Sequence, residues 1–127
     1  MGRDIMNISL TSLVVDAADI ETESSFWHLV LGGSVTKTAT HHFLQVDGFP
    51  VIVIQHAAEH VPPQWPDGGS QQMHVDLSTD DVATGETRVI AAGGRRLRPT
   101  ADVAASTWEG ARVYASPAGH PFCLRPA

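Results

Sequence analysis

The sequence predicts an α+β fold made of two copies of a βαβββ module. Three observations carry this reading. A β-branched run, an aspartate, an amphipathic stretch and a Gly-Gly pair occur in that order twice, at 12–35 and at 74–97. The copies are offset by 62 residues at Ser12/His74 and Asp19/Asp81, and by 61 at Gly32/Gly93. Between them "AAEHVPPQWPDGGSQQ" (57–72) carries three prolines and two adjacent glycines, which is linker chemistry. The chain then reads as one domain, with module one at about 6–57, a linker at about 58–71 and module two at about 72–127.

In the first module "ISLTSLVVD" (8–16) alternates and is β-branched, as a strand requires. Asp19 caps the helix that follows, and Glu21 and Glu23 in its first turn suit the positive end of the dipole. Phe26, Trp27, Val30 and Leu31 supply its buried face, and Gly32 or Gly33 ends it. Three short strands follow at roughly 34–38, 41–46 and 51–56, with a turn at "DGFP" (47–50).

The second module repeats the pattern. Asp80 or Asp81 caps a helix that packs through Val82, Val89 and Ile90 and stops at Gly93 or Gly94. Gly85 weakens that helix by about 1 kcal/mol relative to alanine. Strands follow at roughly 95–98, 111–115 and 121–125, with a turn at "SPAGHP" (116–121).

Composition narrows the function. The chain has 127 residues, 43% hydrophobic and 17% charged, so a packed core is expected. A formal charge of −6 with no basic stripe argues against nucleic acid or an anionic membrane as partner. "RRLR" (95–98) reads as a solvated strand edge. Cys123 is the single cysteine, which excludes an internal disulfide. "MGRDIMNISL" has no signal-peptide pattern and no apolar run approaches a membrane span, so the expected location is the cytoplasm.

Among polar candidates, His74 lies in an alternating run, "QMHVDLSTDD", with Asp76 two residues on and on the same face. It reads first as a cleft-lining histidine with a hydrogen-bond partner, and second as a ligand or base. The other six histidines have no spacing that puts two imidazoles on one ion, because adjacent strand residues point to opposite faces. Cys123 reads as a small buried residue, since only Arg125 shares its face to lower the thiol pKa. Trp65 and Trp108 could stack on a flat ligand, or serve as a lid and a strand-edge plug.

"VVDAADIETESSFWHLVLGG", "MHVDLSTDD…IAAGGRRL" and "WEGARVYASPAGHPFCL" together resemble the vicinal oxygen chelate superfamily, which includes glyoxalase I, bleomycin-resistance proteins and extradiol dioxygenases. The last stretch is similar to the family's "DP-x-G-N-x-F" turn. Ser116 and His120 replace its Asp and Asn, while Pro117, Gly119 and Phe122 remain. The resemblance implies mixed sheets that curl around a cleft. It also implies divalent-metal ligands on the first and last strands of the modules.

Carried over, those positions are Ser12, His74 and Cys123, with Gln55 as the fourth and His56 as the fallback. The family's last-strand Glu is absent, and Cys123 stands there. No cofactor is therefore expected, with a divalent metal as the open alternative. The implied function is binding, with sequestration as one version, of an antibiotic-like or aromatic small molecule through Ser12, Gln55, His74, Asp76, Trp108 and Cys123. Val14 and Val53 would line the same cleft. The alternative is a metal-dependent lyase, isomerase or dioxygenase using His74. Ser12, Gln55, His74 and Cys123 are expected to converge on one cavity. Unpaired sheet edges point to a homodimer, with the cleft completed either within one chain or by exchange with a second.

Overall fold

The computed structural model describes residues 8–65, 68–69, 73–101 and 111–127. Module one runs β1 (Ser12–Ala17), α1 (Ile20–Leu31), β2 (Ser34–Lys37), β3 (His41–Gln45) and β4 (Val51–His56). Module two runs β5 (Val75–Thr79), α2 (Val82–Ala91), β6 (Arg95–Arg98), β7 (Arg112–Ala115) and β8 (Pro121–Pro126). The sheets are ordered β1-β4-β3-β2 and β5-β8-β7-β6, so the two halves share one topology. In each, the first and last strands pair in parallel and the other pairs are antiparallel.

The caps repeat at the same 62-residue offset. Asp19 accepts from the Thr22 amide at 3.1 Å and its hydroxyl at 2.7 Å. Asp81, not Asp80, does the same with Thr84 at 3.2 and 2.9 Å. Each carboxylate thereby satisfies amide hydrogens that a helix start leaves unpaired. Gly32 closes α1 with φ of 77°, while α2 ends at Ala92.

The core takes one stripe of each helix. Phe26, Trp27 and Val30 of α1 are buried, and Phe26 and Trp27 reach across to Phe122 of β8, with ring centroids 5.8 and 5.2 Å away. Such aromatic pairs add about 0.5–1.5 kcal/mol beyond burial. In α2, Val89 is buried but Ile90 is 47% exposed, contrary to expectation. A ten-residue helix buries a narrow stripe, here 82, 85 and 89, and Ile90 is turned about 100° away from it. Gly85 belongs to that stripe because α2 lies close to β8: a Cβ there would sit 3.3 Å from Leu124 Cδ1.

A buried carboxylate joins the modules. Glu23 of α1 is fully buried and accepts from the Trp27 indole (2.9 Å), the Ser116 hydroxyl (2.6 Å) and the Ala118 amide (2.7 Å). The linker crosses the same β7–β8 turn, where His60 Nε2 donates to the Ala118 carbonyl at 2.9 Å. Gly119, with φ of 91°, lets Pro62 close on it, since a Cβ would come within 2.6 Å of Pro62 Cβ.

"RRLR" is not simply a solvated edge. Arg96 turns inward to Glu86 at 2.9 Å, and Glu86 also binds Arg112 (3.3 Å) and the Tyr114 hydroxyl (2.9 Å). This network ties α2 to β6 and β7.

Strand parity then sorts the exposed chemistry. Ala17, Leu44, Ile52 and Ile54 join the core cluster in the first sheet, as do Leu77, Tyr114, Phe122 and Leu124 in the second. Ser12, Val14, Asp16, His41, Val53 and Gln55 therefore occupy the other face of the first sheet. Asp76, Cys123 and Arg125 occupy the other face of the second.

Candidate functional site

On the first sheet, β3, β4 and β1 place a row of polar groups side by side. His41 pairs with Gln55, and Gln55 with Asp16, in the strand register. His41 Nε2 donates to Gln55 Oε1 at 3.2 Å, and the Gln55 amide donates to Asp16 Oδ1 at 3.2 Å. Because that tautomer leaves His41 Nδ1 as an acceptor, the Thr40 hydroxyl donates to it at 2.8 Å. The chain of donors ends on the Asp16 carboxylate and holds it in place. Gln55, on the face opposite His56, is the member of this row.

On the second sheet, Asp76 is the hub. His74 Nε2 lies 3.1 Å from Asp76 Oδ1, and Arg125 Nε donates to Oδ2 at 3.0 Å. Desolvation works to raise the Asp76 pKa. The Arg125 hydrogen bond and charge, the His74 charge and the Cys123 hydrogen bond outweigh it, so the carboxyl stays below its ordinary range. The Cys123 thiol is pushed up, chiefly by burial and then by the Asp76 charge and hydrogen bond. It is a protonated donor, not a nucleophile. Trp65 of the linker stacks on His74, with ring centroids 5.6 Å apart and planes at 17°.

A cavity of about 570 Å³ opens between the edge strands β1 and β5. Leu13, Val15, Trp27, Leu31, Ile52 and Leu77 form its apolar walls, and Val14, Phe49, Met73 and Val75 surround them. Asp16, His60, His74 and His120 are the ionisable residues among the described lining. His120 Nε2 donates to the Asp16 backbone carbonyl at 2.7 Å, and the His60 and His120 rings are 5.1 Å apart. The volume and the apolar character suit a mid-sized organic molecule.

The glyoxalase-like domain family matches residues 12–125. This chain belongs to that family, within the vicinal oxygen chelate superfamily. Among solved structures, a glyoxalase/bleomycin resistance protein/dioxygenase family enzyme from Burkholderia phytofirmans PsJN superposes with a TM-score of 0.69. It has 15% identity over 94% of this chain and 98% of that one. A glyoxalase-related enzyme from Fulvimarina pelagi gives 0.66, with 21% identity over 94% and 88%. A fosfomycin resistance protein from Listeria monocytogenes gives 0.64, with 16% identity over 98% and 95%. At these identities the likeness is one of fold. No curated protein matches the sequence.

The glyoxalase-like fold implies a divalent ion, and the donor set can be tested against it. Val14 pairs with Val53 in module one as Asp76 pairs with Cys123 in module two, and Val14 and Asp76 are 62 apart. The counterpart of Cys123 is therefore Val53, which cannot ligate. Gln55 instead corresponds to Arg125. The family positions then hold a hydroxyl, an isopropyl group, one imidazole and a protonated thiol. A second grouping, His74, Asp76 and Cys123, has ligand atoms within 4.8 Å of one another. Its carboxylate already carries the Arg125 guanidinium, and a dication would have to displace that cation and the thiol proton. These residues do not fit the family's ion.

The structure brings His74, Asp76 and Cys123 together and joins Gln55 to Asp16. It does not gather Ser12, Gln55, His74 and Cys123 in either of two cavities. Ser12 lines a shallower one of about 370 Å³ with Phe43, Val51 and Val53, while His74 lines the larger one. Trp108 lies outside the described residues. Asp16, His60 and His120 were not singled out as site residues. Asp16 shares a strand face with Ser12 and Val14, a signal that parity offered. His60 and His120 reach the cavity only because the linker folds over the β7–β8 turn.

Proposed function

We propose that this glyoxalase-like protein binds, and by binding sequesters, an antibiotic-like or aromatic small molecule in the cavity between β1 and β5, without a metal. The observation that carries the reading is the 570 Å³ apolar cavity with a few convergent polar groups. In this reading Asp16 and His74 orient the ligand, Gln55 holds Asp16, and Asp76 with Cys123 and Arg125 holds His74. Resistance-protein names among the structural neighbours are compatible with sequestration. A thermal-shift screen of aromatic and peptide-like compounds, followed by calorimetry, tests it. His74→Gln should weaken binding of a hit by about tenfold, the worth of one hydrogen bond or slightly more. Unchanged affinity in His74→Gln would remove His74 from the site.

The alternative is a metal-dependent lyase, isomerase or dioxygenase acting through His74. The spacing of His74, Asp76 and Cys123 favours it, and the Arg125 pair opposes it. Turnover of a hit that His74→Gln abolishes with binding intact would establish it. We also propose a cytoplasmic homodimer, since β1, β2, β5 and β6 are sheet edges in the chain and Val14, Met73 and Val75 are exposed beside two of them. No helix is long and apolar enough to cross a membrane.

A further inference from the structure

The register of β1 shows what its outer edge offers to the cavity, and the inference rests on that cavity being the binding site proposed above. In a parallel pair every second residue turns both its N–H and its C=O to the neighbouring strand. The Thr11 carbonyl accepts from the Val51 amide at 3.3 Å, and the Ala17 carbonyl from the Ala57 amide at 2.9 Å. Thr11, Leu13, Val15 and Ala17 therefore face β4. Ser12, Val14 and Asp16 turn their main-chain groups to the opposite edge, which pairs with no strand among the described residues. His120 marks the same direction, since its Nε2 donates to the Asp16 carbonyl at 2.7 Å from that side.

Leu13, Val14, Val15 and Asp16 line the cavity in succession. Leu13 and Val15 point to the face where Ile52 joins the core, and they form part of the apolar wall. The Val14 side chain points to the opposite face, so what Val14 brings to the cavity is main chain. Its N–H and C=O stand side by side with no partner among the described residues. An amine or an alcohol answers one of them. A residue of extended backbone answers both, because its own N–H and C=O have the same spacing. Such strand addition draws affinity from main-chain bonds and specificity from alternate side chains. The residue opposite Val14 keeps its side chain on Val14's face, while the groups before and after it enter the apolar wall. His120 occupies the Asp16 carbonyl and closes one end, so the slot of about 570 Å³ suits a short segment rather than a strand of a second copy.

We propose that the cavity takes a short extended peptide, or an N-acyl amino-acid amide with apolar groups at both ends, paired through its main chain to Val14. The probes are N-phenylacetyl-alanine isobutylamide, the lactate ester that lacks only its alanine N–H, and naphthylethanol as a ligand without a peptide group. Calorimetry gives affinities, methyl resonances of Leu13 and Val15 report occupancy, and hydrogen exchange reads the Val14 amide. The alanine compound should slow Val14 exchange at least about tenfold at saturation and leave Val15, already in the ladder, unchanged. The ester should bind about tenfold more weakly, because it leaves the Val14 carbonyl unanswered. Equal affinity for the ester, or methyl shifts without slower Val14 exchange, overturns the pairing and leaves the cavity reading standing. Methyl shifts with naphthylethanol and with neither other probe do the same. Failure of all three to move those resonances overturns both. Slow Val14 exchange in the free protein that speeds up on dilution shows the edge covered by a second copy, and also overturns the proposal.

Discussion

Replacing Glu23 with glutamine should cost this protein a large part of its stability, although the substitution is isosteric. The carboxylate is fully buried and meets donors on both oxygens: Trp27 and Ser116 on Oε2, and the Ala118 amide on Oε1. An amide has only one acceptor oxygen. With its NH2 group towards Ala118, a backbone donor is left unsatisfied. Turned the other way, the NH2 group meets the indole and the hydroxyl. The cheaper arrangement strands one buried donor, at about 1–3 kcal/mol, and removes charge assistance from the other two. A total of roughly 2–4 kcal/mol follows. For a domain of this length 1 kcal/mol moves the midpoint by about 4 °C, so Glu23→Gln should melt roughly 8–16 °C lower. Ser116→Ala should cost about 1–3 kcal/mol, because it removes one of the three bonds to Glu23 and the acceptor of the His120 amide, which donates to the Ser116 hydroxyl at 3.1 Å. The two effects should fall short of additivity in the double variant, since both act on one contact. Calorimetric or denaturant unfolding measures all three. A Glu23→Gln midpoint within about 2 °C of the wild type would refute the view that this carboxylate joins the modules.

Further predictions follow from the same contacts. Burial and Asp76 hold the Cys123 thiol protonated, so folded protein at neutral pH should alkylate with iodoacetamide far more slowly than the unfolded chain. Asp76→Asn removes the negative charge and should speed the reaction. Burial works to raise the Glu86 pKa, but Arg96, Tyr114 and Arg112 outweigh it and lower the pKa overall. A lowered folded pKa means that its stabilisation is present above the unfolded value of about 4.3 and is lost as pH falls through the folded value. Acid unfolding of Glu86→Gln should accordingly show a shallower slope below about pH 4.3. Light scattering at micromolar concentration should give the mass of two chains, and a monomer would remove the proposed dimer.

Most of the architecture was readable because it is written twice. Asp19 and Asp81 cap helices 62 residues apart, and the β-branched runs before them can only be strands with one buried face. Parity alone placed Gln55 opposite His56. What parity could not supply was register. Whether Val53 or Gln55 corresponds to Cys123 depends on how β1 slides against β4, and that parallel pairing involves residues about 40 apart. The cavity was hidden for a related reason. His60 sits in the linker and His120 in a turn, and they meet through contacts spanning 58 to 104 residues. Ile90 was misplaced because an apolar residue next to Val89 looks like core until the helix phase is known.

The central claim is that this protein holds its ligand with side chains and no ion. Elemental analysis of protein purified without a histidine tag tests it most directly. The account predicts less than about a tenth of an equivalent of nickel, zinc, iron or manganese per chain, unchanged in His74→Ala, because Val53 and a protonated Cys123 stand at ligand positions and Arg125 holds Asp76. Near-stoichiometric metal that is lost in His74→Ala would contradict it.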